Sequence, residues 1–250
     1  MNSQPDEDDS RISRIQTQWS MVQQAGMSKS DLGAVLARAE LASRYAGAIY
    51  RYLKRLLSSP QDAEDVAQEI SMLILNGSLS GADPQKGRFR DYMKTIVINA
   101  ARAHKKKSAR QNEKGRTMDA ETLESLAEPA VDQSVWEECL RDDLIAQAMK
   151  KLTQQDEQSG QFYAAVLSWK IQNPGVGADE LAKFLTFVSE RSVTVENARK
   201  VLQRARQSLA EILVAIVRRT LPKDYDDQEP LIEQLSALGI LEVCRNALGR

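Results

Sequence analysis

Apolar positions fall almost everywhere at three- and four-residue steps, the period of an α-helix with one buried face. From 31 to 57 the steps run through Leu32, Val35, Leu36, Ala39, Ala46, Ile49, Tyr50, Leu53 and Leu57. Ser58-Ser59-Pro60 breaks that run. Ser59, Pro60 and Asp62 suit the N-cap, first-turn proline and capping acid of a second helix. That helix is expected to bury Val66, Ile70, Leu73 and Ile74 and to end at Asn76-Gly77. A third, over 89–107, is expected to bury Phe89, Met93, Ile96, Val97 and Ala100. These three make a first helical domain over 31–112, behind an N-terminal segment, 1–30.

Periodicity lapses over 113–134, where Gly115, Pro129 and many acids mark an acidic linker. Helical period returns over 135–152, 161–171, 178–188 and 194–220, giving a second domain over 135–221 with a loop at 173–177. Beyond Pro222 lies a C-terminal extension, 222–250: an acidic hinge, then Leu231, Leu235, Leu238, Leu241 and Leu248 on a short apolar face broken at Gly239. A helix that short is marginal alone in water, so it is expected to complete the core of the second domain; the alternative is a reversible lid that docks near the reader helix while the hinge acids screen its cations. No strand pattern and no internal repeat is visible. The fold class expected is all-α, two helical domains joined by an acidic linker.

Charge sharpens this picture. The 250 residues carry a net charge of only −1, but the charges are segregated. Residues 86–116 hold eleven Lys and Arg against Asp91 and Glu113, leaving +9; residues 119–143 hold nine acids against Arg141, leaving −8. Such blocks imply separate electrostatic tasks. Cys139, Cys244 and the single His104 build no zinc pattern, so no metal is expected. There is no phosphate-loop or dinucleotide fingerprint, and His104 within a lysine run is a poor base. The reading is therefore no enzyme, no catalytic residue and no cofactor. The acidic start without an apolar core argues against a signal peptide, and the apolar stretches are too short and charged to span a bilayer. A cytoplasmic protein with reduced thiols and no membrane insertion is expected.

Three polar faces carry the candidate chemistry. On the second helix Asp62, Asp65, Gln68 and Glu69 lie opposite the buried stripe, where they could meet a basic protein surface. On the third, Tyr92, Thr95, Asn99 and Arg102 share one stripe that ends in the run His104-Lys105-Lys106-Lys107. A ring can stack on an unpaired base, an amide can pair with a base edge, and a guanidinium can hold phosphate. In the second domain a short helix over 178–185, a turn at 186–193 and a helix from 194 read as a helix-turn-helix. Its last helix should bury Val195, Ala198, Leu202, Ala205, Leu209 and Ile212, and turn Glu196, Asn197, Lys200, Gln203, Arg204 and Gln207 outward.

The order of these motifs resembles bacterial RNA polymerase sigma factors of the sigma-70 family, of the short extracytoplasmic-function type. Asp62-Ala63-Glu64-Asp65-Val66-Ala67-Gln68-Glu69 is similar to the segment that docks on the clamp coiled coil of the polymerase's largest subunit. The resemblance implies core-polymerase contacts by Asp65 and Gln68, flanked by Asp62 and Glu69. It makes 31–112 a region 2-like bundle whose loop at 81–88 and third helix melt the −10 element. Arg88, Phe89, Tyr92, Thr95, Asn99, Arg102, Lys105, Lys106 and Lys107 are the −10 candidates. Asn99, in Ile96-Val97-Ile98-Asn99, matches the asparagine lining the pocket for a flipped base; many relatives carry Trp at Tyr92.

Thr194-Val195-Glu196-Asn197-Ala198-Arg199, followed by Arg204-Ala205-Arg206, looks like the end of the domain that binds the −35 element. It implies a region 4-like reader with Thr194, Glu196, Asn197, Lys200, Gln203 and Arg204 toward DNA. The turn at 186–193 is a few residues longer than the family's usual Leu-Gly-x-Ser. Thr17-Gln18-Trp19-Ser20, Asp83 to Arg90 and Leu238 to Arg245 resemble a subgroup abundant in planctomycete bacteria. The implied partners are core RNA polymerase, through the clamp coiled coil and the flap, and promoter DNA, with an anti-sigma factor as a candidate regulator. Two alternatives remain at this point: a helix-turn-helix regulator that never joins polymerase, and a nuclease using Asp62, Asp65 and Glu69.

Overall fold

The computed structural model describes residues 22, 24–26, 31–79, 82–83, 89–112, 133–218 and 228–248, and among them every regular element is helical. The chain divides between Leu140 and Arg141 into two compact units.

In the first unit, α1 (Leu32–Leu56) starts where the Asp31 carboxylate accepts the Gly33 N–H at 3.3 Å, and it closes with Lys54 and Arg55 at its negative dipole end. Ser59 accepts the Asp62 N–H at 3.3 Å and Pro60 stands in the first turn of α2 (Pro60–Leu75), as the sequence predicts. Asn76 and Gly77 stop it, Gly77 at φ +67°. That conformation suits glycine, and a Cβ there would stand 3.2 Å from the guanidinium of buried Arg38, whose Nη1 donates to the Ala25 carbonyl. α3 runs over Phe89–Asn112, past the expected end at 107. Its Phe89, Met93, Val97 and Ala101 line the core with Val66, Ile70 and Ile74 of α2 and Leu41, Tyr45, Ile49, Tyr52 and Leu53 of α1.

Three stripe assignments need correction. Leu32 is 71% exposed, with Val35 and Leu36 also outside; the buried face of that half of α1 is Ala34, Ala37, Arg38, Leu41 and Tyr45. Stepping back from Ile49 by helical turns leads to these residues. Leu73 is 43% exposed, because Ala63, Val66, Ile70 and Ile74 already fill the inward face of α2. Ile96 and Ala100 are only half-buried beside the Met93–Val97–Ala101 line.

α4 (Gln133–Ser159) straddles the division. Its Trp136 and Cys139 are core residues of the first unit, although the sequence places 135 at the head of the second domain.

In the second unit, α7 (Val195–Arg218) is central, packed by α5 (Tyr163–Gln172), α6 (Ala178–Ser189), α8 (Glu229–Ala237), α9 (Leu241–Cys244) and a 3₁₀ turn (Arg245–Ala247). Asp156 of α4 is buried, and its carboxylate accepts the Ala164 N–H at 2.7 Å, satisfying the first turn of α5. Trp169 stacks on Phe184 at 5.2 Å between ring centres. Lys170 Nζ donates to the Val176 carbonyl across the loop at 173–177. The tail is a core element: Leu231, Leu235, Leu238, Ile240, Cys244, Ala247 and Leu248 are buried, and Gly239 at φ +68° turns the chain between α8 and α9. Burial pushes the Cys244 thiol up to about 11, so it is a packing group rather than a reactive thiol.

Candidate nucleic-acid interface

The outward face of α2 is built by the same period that builds its core. With Ala63, Val66 and Ile70 fixed inward, Asp65, Gln68 and Glu69 face solvent, and Met72 continues that line one turn on. Gln61 Nε2 donates to Asp65 Oδ1 at 3.3 Å, which steadies the carboxylate without burying it. Asp62 differs from the other three. It is half-buried, and its Oδ1 lies 3.3 Å from His104 Nε2 on α3, near enough for an ion pair but not aligned as a hydrogen bond. Asp62 thus faces α3 as well as solvent.

α3 presents Thr95, Asn99 and Arg102 to solvent on one stripe. Thr95 is exposed, and its Oγ1 donates to the Asp91 carbonyl at 3.1 Å. Tyr92 is half-buried at the head of the stripe, its ring tilted against Phe89 at 5.9 Å, and burial raises the phenol. Phe89 itself is a correction: it is 1% exposed, edge-on to Tyr45 at 5.6 Å, so it supports the stripe from beneath and cannot stack on a base. Lys106 and Lys107 are exposed and Lys105 half-buried. Arg88 lies outside the described residues, as does the loop at 81–88 apart from Ala82 and Asp83.

In the second unit α6 continues to Ser189, so four residues read as turn are helical and the connection is only 190–194. Glu190 takes a left-handed φ of 55° to end α6, and the Val193 N–H donates to Thr186 Oγ1 at 3.0 Å, pinning the turn to the helix before it. Thr194 Oγ1 accepts the Asn197 N–H at 3.3 Å and so caps α7. Glu196, Asn197, Lys200, Gln203 and Arg204 are all exposed, with Lys200 Nζ 2.7 Å from Glu196 Oε1. Val195, expected inward, is 39% exposed because the buried face begins at Ala198. One feature went unread in the sequence, Trp136 beneath α3, and Arg199, read only as part of the Thr194–Arg199 motif, is exposed beside Lys200. Spacing of three from Glu196 and four to Gln203 puts Arg199 on the outward face; no local signal points to Trp136.

Among the described residues no group of three His, Cys, Asp or Glu side chains could hold a metal ion. No described helix is long and apolar enough to cross a membrane. Searches of curated proteins and of solved structures returned no match. Residues 41–111, which span most of α1, all of α2 and nearly all of α3, match the family model of sigma-70 region 2.

Proposed function

We propose that the chain is an extracytoplasmic-function sigma factor, near the subgroup abundant in planctomycetes, that joins core RNA polymerase in the cytoplasm. The observation that carries this reading is the coincidence of the region 2 match with two exposed faces inside it. Asp65, Gln68 and Glu69 on α2 form the acidic face for the clamp coiled coil, with Asp62 at its edge. Tyr92, Thr95, Asn99 and Arg102 on α3 form the face for the unpaired non-template strand, and Lys105, Lys106 and Lys107 neutralise phosphates beside it. The helix-turn-helix of the second unit reads the −35 element through Thr194, Glu196, Asn197, Lys200, Gln203 and Arg204, as a region 4-like domain. The flap and an anti-sigma factor are further candidate partners.

A helix-turn-helix regulator that works without polymerase would need only α6 and α7. The match at 41–111 lies outside both, which favours the sigma reading. A pull-down separates the two. The full chain is expected to co-purify stoichiometrically with core polymerase; duplex binding with no retention on core polymerase would favour the regulator.

A further inference from the structure

Trp136 follows the segment 113–132, yet it is fully buried in the first unit. Its indole Nε1–H donates to the Arg90 carbonyl at 3.1 Å, a buried bond across 46 positions. Its ring meets Tyr52 edge-on at 5.1 Å between centres and 65° between planes. Cys139, one helical turn on, is buried in the same core, and Glu138 pairs with Arg55 of α1 at 2.6 Å. Ring contact, hydrogen bond, buried thiol and ion pair therefore fix one short piece of α4 against α1 and the first turn of α3.

We propose that 134–140 is a clamp on the strand-opening helix, with Trp136 its positioning residue. This rests on the sigma reading above. A buried indole N–H must find an acceptor, and here it takes a carbonyl in the opening turn of α3. Tyr92 begins the DNA-facing stripe two residues beyond Arg90, and Thr95 follows one turn later. Holding Arg90 therefore sets where the ring and the amide of that stripe stand. Trp136 touches no DNA; it acts through the backbone of α3. The −10 face is thus incomplete without residues that follow the segment 113–132.

The test uses the full chain with core polymerase and a promoter that the wild type opens. Trp136→Phe keeps one six-membered aromatic ring in the buried site and removes the five-membered ring with its donor. It is expected to leave core affinity unchanged, to speed amide exchange over 90–95 in the free protein, and to slow the appearance of permanganate-reactive thymines by roughly tenfold, the effect of losing one buried hydrogen bond. Glu138→Arg is expected to slow opening by about threefold, as suits a half-exposed pair, and adding Arg55→Glu to restore it. Wild-type opening rates in Trp136→Phe and in Glu138→Arg would overturn the clamp. So would loss of core binding and opening in equal proportion, the mark of a merely unfolded fraction. Failure of the wild type itself to open DNA with core polymerase would sink the sigma reading, and the clamp with it.

Discussion

Asp65 and Gln68 stand nearly one turn apart on α2, both turned from a core that Val66 and Ile70 complete without them. Replacing both by alanine should therefore leave thermal melting unchanged while core polymerase affinity falls by ~2 kcal/mol or more, the size of an interface hot spot. Titration calorimetry with unchanged affinity would remove this face from the docking surface. Asn99 offers a similar separation of roles on α3. It is exposed, whereas Tyr92 also packs on Phe89, so Asn99→Ala should slow strand opening without touching stability. Tyr92→Ala should slow opening by the ~1–3 kcal/mol of a stacking ring and lower the melting temperature as well. Equal permanganate reactivity in Asn99→Ala and wild type would contradict this.

Asp156 makes the pH prediction. Burial raises its carboxyl above the usual value, and the Ala164 and Tyr163 N–H groups offset part of that rise. A raised folded pKa means that the native state holds the proton more tightly than the unfolded chain does. The contribution of Asp156 to stability is therefore present at low pH and is lost as pH rises through the folded value. Asp156→Asn keeps an oxygen for the Ala164 N–H and cannot ionise. Its melting temperature should exceed that of wild type at neutral pH, and the gap should narrow as pH falls toward the ordinary carboxylate value of 3.8. A pH-independent gap would show that ionisation is not the cause.

At the scale of elements, the helix starts were the most legible feature. Ser59 and Pro60 announce α2 by cap chemistry alone, and the structure shows the hydrogen bond that the cap implies. Faces were less legible. Leu32, Val35 and Leu36 look like a stripe because they are large, but Ala34, Ala37 and Leu41 form the face that meets α1's neighbours. Side-chain size misleads where small residues, Ala34 and Ala37, occupy the buried face. The turn before α7 was misread because α6 keeps helical hydrogen bonding through Thr186 and Ser189, and Glu190 alone makes the left-handed stop. Of the tail's five leucines, Leu231, Leu235, Leu238 and Leu248 are buried and Leu241 is half-buried. Deleting 223–250 should strip cover from α7 and lower the melting temperature, because Leu231, Leu235 and Ile240 are each nearly or fully buried. Losing a single such leucine costs ~2–5 kcal/mol, so removing the whole face should be severe. A stable truncated protein that binds promoter DNA more tightly would instead make the tail a lid.

For the whole molecule, sequence order supports the proposed function more than packing does. The acidic face of α2, the cation run within α3 and the α6–turn–α7 arrangement are each local patterns, and residues 41–111 match sigma-70 region 2. Trp136 was not legible, because a contact across 46 positions leaves no period in the chain. Nor was the burial of Phe89, since an aromatic at a helix start can face either side. The charge blocks, +9 over 86–116 and −8 over 119–143, imply two separate electrostatic tasks. The most direct test is in vitro transcription with core polymerase, a genomic promoter library and this chain as the single added factor. The account predicts new transcript starts that depend on the chain, that share −10 and −35 sequences, and that vanish in Asp65→Ala/Gln68→Ala. Binding of the chain to duplex DNA with no chain-dependent start would contradict it.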